Sequence, residues 1–420
     1  MQTQTPNMFT MKKIVLLSLV FILVVLSSSA QQEQELGISL QGFVKHDVFY
    51  DSRQTVSARE GHFLLWPRAE SADEQGADIY GKSQFNMLAL QSRLSGVISG
   101  PQVLGGRTSG MIEGDFFAQA NDNIHLFRLR HAFMRLRWEH TELLAGQHWN
   151  PMFVTSCYPA TVSFNTGVPM QPFARNPQLR LRHTMGRFDV LVAALAQRDY
   201  ASRAEGQASS RFLRNAGMPD MHLQVHMNSV FLKAGVGVAY KRIVPRLNTQ
   251  QGLKTDAAVS GLSGLAFARL DLEPVTIKMQ AVAGQNLTDV LQISGFATKT
   301  MDPATDRRTY QPLCNLSLWT DVHTNGKPLQ AGVFAGYTRN MGTPGPIIRD
   351  AGLIFGFGQN IASLYRISPR LVYNVGSLRF GLEAEYTAAT FGSSFDTHAV
   401  PVDTHTTGNL RILFSSYFYF

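Results

Sequence analysis

The sequence predicts an all-β fold, a transmembrane antiparallel β-barrel of about sixteen strands. Three observations carry this. Period-2 alternation recurs along the chain while helical periodicity does not, short and long breaker segments alternate, and glycine and aromatics replace surface charge. Only 16% of the 420 residues are charged, below the roughly 25% usual for globular domains. Gly (35), Phe (27) and Tyr (12) are plentiful. This composition excludes disorder, collagen and a disulfide-dense small domain. The mean hydropathy of -0.07 looks soluble. The longest apolar run, Ile14 to Leu26, falls short of the about 20 residues that a membrane-spanning helix needs.

The N-terminus reads as an export signal. From Met11 the chain runs MKKIVLLSLVFILVVLSSSA: two lysines, an apolar core and a small-residue cleavage site at Ser28-Ser29-Ala30. Residues 1–30 are therefore expected to be a signal peptide with an upstream extension, and 31–420 a single barrel domain. Losing Lys12 and Lys13 lowers the net charge of +8 by two, so no nucleic-acid footprint is indicated. Cys157 and Cys314 lie far apart, and spacing leaves open whether they pair.

The strands follow in order. Leu378, Phe380, Leu382, Ala384 and Tyr386 alternate with Arg379, Gly381, Glu383, Glu385 and Thr387. The last strand puts Leu410, Ile412, Phe414, Phe418 and Phe420 opposite Arg411, Ser415, Tyr417 and Tyr419. Tight turns are expected at Met185-Gly186, Glu273-Pro274, Asn325-Gly326 and Gly376-Ser377. Strands are expected at about 39–50, 81–98, 107–119, 124–138, 142–148, 177–184, 187–199, 219–232, 236–243, 257–271, 275–284, 310–321, 328–339, 364–374, 378–389 and 409–420. With this count the long polar segments, the first of them Asp51 to Tyr80, share one end and the tight turns the other, as bacterial outer-membrane barrels require. Residues 351–357 alternate too, but must belong to an outer loop or a strand extension.

In a barrel of this size the faces opposite lipid line water. The first strand sends Leu40, Val44, Val48 and Tyr50 outward and Lys45, Asp47 and Asp51 inward. Glu113 and Asp115 face inward opposite Ile112 and Phe116. Arg128 and Arg130 differ in parity from Arg135 and Arg137, so a bulge near His131 is needed to put all four inside. Arg180 and Arg182 oppose Leu179 and Leu181, and Arg175 precedes them. Two roles fit this arginine set: a structural wall paired with Glu113 and Asp115, or a ladder that attracts anionic solutes. The pore-lining set is thus Arg128, Arg130, Arg135, Arg137, Arg175, Arg180, Arg182, Glu113, Asp115, Lys45 and Asp47.

The segment WNPMFVTSCYPATVSFNTGVPMQPFARN, residues 149–176, is the third outer loop. Its prolines and its apolar content predict that it packs into the barrel and narrows it, with Arg175 near the constriction; burial in a subunit interface is the alternative.

The runs HDVFYDSRQ, QSRLSGVISGP, GMIEGDFF, RLRHAF, GQHWNPMF, GVPMQPFARNPQ and LAQRDYAS resemble a family of porin-like outer-membrane proteins of Bacteroidota, and more distantly the DcaP-like trimeric porins. The resemblance implies a sixteen-stranded homotrimeric porin in the outer membrane of a Gram-negative bacterium, passing small, often anionic, solutes. DcaP-like porins carry an N-terminal coiled coil, whereas only Gln31 to Gly37 precedes the first strand here.

Enzyme signatures fail. His222 and His226 would sit about 13 Å apart on a strand, too far to share a metal ion. Motifs for nucleotide binding, zinc proteolysis and serine hydrolysis are missing, and His148 and Asn150 have no nucleophile to serve. The expectation is a non-enzymatic channel with no cofactor and no metal. Its partners would be small anionic or polar solutes and outer-membrane lipid. The alternatives are a scaffold barrel with a plugged lumen and an outer-membrane hydrolase.

Overall fold

The computed structural model describes residues 36–118 and 120–420; the expected signal peptide lies outside them. Sixteen antiparallel strands close on themselves. They are β1 (Gly37–Asp51), β2 (Gln84–Leu88 and Arg93–Val103), β3 (Gly106–Asp115), β4 (Arg128–Arg137), β5 (Thr141–Trp149), β6 (Arg175–Met185), β7 (Phe188–Leu195) and β8 (Asp220–Asn228). Then come β9 (Leu232–Ile243), β10 (Val259–Asp271), β11 (Val275–Gln285), β12 (Arg308–Thr324), β13 (Leu329–Gly342), β14 (Ile361–Val375), β15 (Leu378–Phe395) and β16 (Pro401–Tyr419). Each strand pairs with its sequence neighbours, and β1 pairs with β16 from Phe43 against Tyr419 to Asp51 against Arg411. Closure leaves no edge, the only way a sheet can satisfy its backbone in lipid.

Side chains sort as the alternation demands. Leu40 is 67% exposed, and Ile112, Leu129, Met134 and Val236 are exposed likewise, while Lys45, Asp47, Asp51 and Asp115 are buried. An apolar outward band around a polar interior is the pattern of an outer-membrane barrel. The required bulge is present: Glu113 stands opposite His131 and Gly114 opposite Leu129, leaving Arg130 as the extra residue. Register then resumes with Arg135 and Arg137 on the face of Arg128 and Arg130.

Short turns crowd one end. Between β2 and β3 both Leu104 and Gly105 have positive φ, 53° and 72°, the geometry that matches strand twist in a two-residue hairpin. The short-turn end is the periplasmic one in bacterial barrels. The opposite end carries eight outer loops. In loop 6 (residues 286–307), Ser294–Met301 pairs with the outer part of β12 and with Ile354–Phe357 of loop 7; residues 351–357 are thus loop, as the strand count required. The last hairpin differs from expectation. β15 runs to Phe395 and β16 begins at Pro401, well before residue 409, because threonines such as Thr390 and Thr406 pair above the apolar band through their hydroxyls. Cys157 and Cys314 are both free thiols.

Candidate functional site in the barrel lumen

Loop 3 (residues 150–174) folds back inside the barrel because its side chains are too apolar for water. Met152, Phe153, Val154, Cys157, Phe164, Val168, Met170 and Phe173 are buried in one cluster with the wall residues Phe267, Trp319 and Phe334. Polar contacts fix the loop on the far wall. Glu383 of β15 accepts from the Val162 amide at 2.6 Å, Glu385 accepts from Asn165 Nδ2 at 3.0 Å, and Gln280 donates to the Met152 carbonyl. Arg366 donates to the Val168 carbonyl and to the Leu65 carbonyl, with Glu385 3.1 Å away. Arg366 therefore joins loop 3 to loop 1 (residues 52–83). Loop 1 belongs to the long polar segments expected at the outer end, yet its stretch Phe63, Leu64, Leu65 and Trp66 is buried inside too.

The arginines divide into two groups. Nearer the outer end, Arg128 Nε donates to Asp115 at 2.8 Å, Arg130 to Glu113 at 2.7 Å and to Asp115 at 2.9 Å, and Arg175 lies 2.6 Å from Asp199 of loop 4. Arg93, absent from the expected set, approaches Glu113 at 3.7 Å. Four guanidinium groups thus share three carboxylates. Trp149 lies 5.0 Å under Arg175, a cation–π contact that adds to the anchor. Lys45 pairs with Asp47 at 3.1 Å, and Asp47 also binds His62 and Ser415.

Nearer the periplasmic end the balance changes. Arg137, Arg182 and Arg135 converge on Glu142 at 2.6, 3.2 and 3.5 Å. Arg180 has no carboxylate partner among the described residues; it donates to Gln178 Oε1 and to the Trp149 carbonyl. Here four guanidinium groups share one carboxylate. Two of these side chains stay open to the lumen, 57% for Arg137 and 38% for Arg182, while Arg135 is 27% exposed.

Sequence reasoning named neither Arg366, Arg370 and Arg411 nor their partners Glu385, Asp321 and Asp51 as a second charged wall. The signal existed, since Glu383 and Glu385 share one face of β15. Its pairing with loop 3 crosses more than 200 residues, as the Val162 contact at a separation of 221 shows.

Burial alone would raise the Asp199 carboxyl, but Arg175 and then Arg128 hold it below its ordinary range. A carboxyl depressed in this way stabilises the fold fully above its unfolded value and loses that contribution as pH falls through the folded one. Asp199→Asn should therefore flatten the acid limb of the stability profile below about pH 4. It should also lower stability at neutral pH by about 3–5 kcal/mol, because Arg175 is left buried without its partner. Urea unfolding followed by intrinsic fluorescence across pH checks both.

The chain matches no family model, and no curated protein is significantly similar to it. Solved structures do match. The outer membrane channel DcaP of Acinetobacter baumannii aligns over 93% of this chain and all of its own, at 15% identity and a TM-score of 0.70. OmpT of Vibrio cholerae, an outer-membrane protein, aligns over 93% of this chain and all of its own at 10% identity and a TM-score of 0.54. An anion-selective porin from Comamonas acidovorans aligns over 92% and all of its own, at 10% identity and a TM-score of 0.54. At these identities the likeness is one of architecture: the chain has the sixteen-stranded barrel fold of outer-membrane porins.

Proposed function

We propose that the protein is a porin of the bacterial outer membrane, a passive channel for small hydrophilic solutes with a preference for anions, and that it carries out no covalent chemistry. Loop 3 narrows the lumen, and the channel is lined by Arg128, Arg130, Arg135, Arg137, Arg175, Arg180 and Arg182 with Glu113, Asp115, Lys45 and Asp47. The observation that supports this best is the group around Glu142, where four arginines, Arg137 and Arg182 among them open to water, have one carboxylate between them. Anions entering such a pore exchange part of their hydration for guanidinium donors, weakly enough to leave again. The outer group acts mainly as a wall, its charge being nearly cancelled. Assembly as a homotrimer is part of this reading, and the OmpT of Vibrio cholerae has a trimer form.

A second reading, a scaffold barrel with a closed lumen, draws on the shared apolar core of loops 1, 3 and 6 within the barrel, where Phe63, Phe164 and Leu291 belong to one cluster. Purified protein in a planar bilayer separates the two. Discrete ion-permeable steps are expected, with reversal potentials favouring chloride in a KCl gradient; silence at all voltages would leave the scaffold. Phospholipid and ester turnover on the same preparation is expected to be zero.

A further inference from the structure

The outer, lipid-facing surface of β10 to β14 is not flat. A groove of about 670 Å³ with an almost wholly apolar lining runs across these five strands. The register explains it. Ala266 of β10 stands opposite Ala281 of β11, Ala281 opposite Leu318 of β12, Leu318 opposite Tyr337 of β13, and Tyr337 opposite Tyr365 of β14. Alanines, Ala335 among them, leave a low floor, while the exposed side chains of Met279, Tyr337 and Tyr365 stand up as its walls. All of these point away from the lumen, because the residues that alternate with them, such as Phe267, Gln280 and Thr338, are buried inside.

A cation stands at the outer end of this groove. Arg339 lies two residues beyond Tyr337 on the same face of β13, about 7 Å further toward the outer loops. It is exposed, with no hydrogen-bond or carboxylate partner among the described residues. The ladder places it at the level of lipid headgroups: Arg339 stands opposite Ser363, Ser363 opposite Thr390 and Thr390 opposite Thr406, and the last two are the hydroxyls that lie above the apolar band. The outward positions on the outer halves of β10 to β14 carry no carboxylate, so no side chain of this face neutralises Arg339.

We propose that this face is a docking surface for one phosphorylated glycolipid of the outer leaflet, of the lipid A type, with an acyl chain in the groove and a phosphate on Arg339. An empty groove in lipid would forfeit dispersion contacts along its whole lining. A flat or convex protein face would bridge the walls and leave the alanine floor bare, whereas a flexible acyl chain can fill it. The guanidinium supplies paired, charge-assisted donors to phosphate oxygens, and the hydroxyls of Ser363, Thr390 and Thr406 run beside it at the height of a sugar headgroup. The inference rests on the orientation given by the porin reading but not on conduction.

The test is native mass spectrometry of the purified barrel in detergent, titrated separately with bisphosphorylated lipid A, with the same lipid stripped of its phosphates, and with phosphatidylglycerol. Wild-type protein should hold lipid A more tightly than phosphatidylglycerol, and at least about fivefold more tightly than the dephosphorylated form, the effect of one arginine beside an anionic lipid. Arg339→Gln should abolish the preference for phosphate, and Ala281→Phe, which fills the floor, should weaken binding of both forms of lipid A. Arg242→Gln, at an exposed outward arginine near the outer end of β9 and outside the groove, should change nothing. Arg339→Gln alone decides the matter should Ala281→Phe not fold. Equal binding of the phosphorylated and dephosphorylated lipids, equal binding of phosphatidylglycerol, or an Arg339→Gln barrel that keeps the preference would overturn the proposal. Lipid A binding by a barrel that passes no current would retain it and reject the porin reading; current without a lipid A preference would do the reverse.

Discussion

Replacing Arg180 and Arg182 together by glutamate is expected to turn the channel from chloride to potassium preference. In a tenfold KCl gradient an ideally selective pore gives about 59 mV for a single charge, and the swing between the two preferences should be tens of millivolts. The size follows from local charge counting. Around Glu142 four guanidinium groups share one carboxylate, and two reversals replace an excess of three positive charges by an excess of one negative. The corresponding reversal at Arg130 should behave differently. That side chain is buried between Glu113 and Asp115, so Arg130→Glu sets three carboxylates together and should prevent assembly of the wall instead of retuning it. A folded Arg130→Glu barrel with only a shifted reversal potential would show that the outer arginines are a filter after all. An unmoved potential in the Arg180 and Arg182 variant would remove those residues from the conducting path.

Cutting the carboxylate anchors of loop 3 should have the second large effect. Glu383 accepts from the Val162 and Ser163 amides, and Glu385 holds Asn165 and Arg366. Hydrogen bonds to charged groups contribute about 1.5–3 kcal/mol each, whereas a buried cation stripped of its partner costs about 3–5 kcal/mol. Glu383→Ala should therefore loosen the loop while the barrel persists, raising single-channel conductance. Glu385→Ala should destabilise the barrel itself by orphaning Arg366. Cys157 reports on the loop directly. Its thiol is buried and pushed up to about 11, so it should resist maleimide at neutral pH. In a Cys314→Ser background, Glu383→Ala should speed labelling of Cys157 several-fold. Unchanged labelling and conductance would mean that the apolar contacts of Phe164 and Phe173 hold loop 3 without the carboxylates.

Which side chains face lipid could be read from the alternation along β1, β15 and β16, because a strand's period of two leaves each residue only one of two faces. The bulge at Arg130 was legible for the same reason: two arginine pairs of opposite parity on one polar wall demand an extra residue. Loop 1 lies at the outer end as its length and polarity predict, but its buried run from Phe63 to Trp66 was not legible, since polar residues such as Glu70, Asp73 and Glu74 follow and mask it.

The sequence by itself thus determined the strand number, the closed antiparallel architecture, the two faces and the presence of an inward-folding loop 3, all of which rest on local period and composition. Only the tertiary structure decided which arginines are neutralised and which are free. That choice depends on partners such as Asp199 for Arg175 and Glu385 for Arg366, brought together by barrel closure and loop folding, and a net charge depends on who stands opposite, a relation that no local pattern encodes.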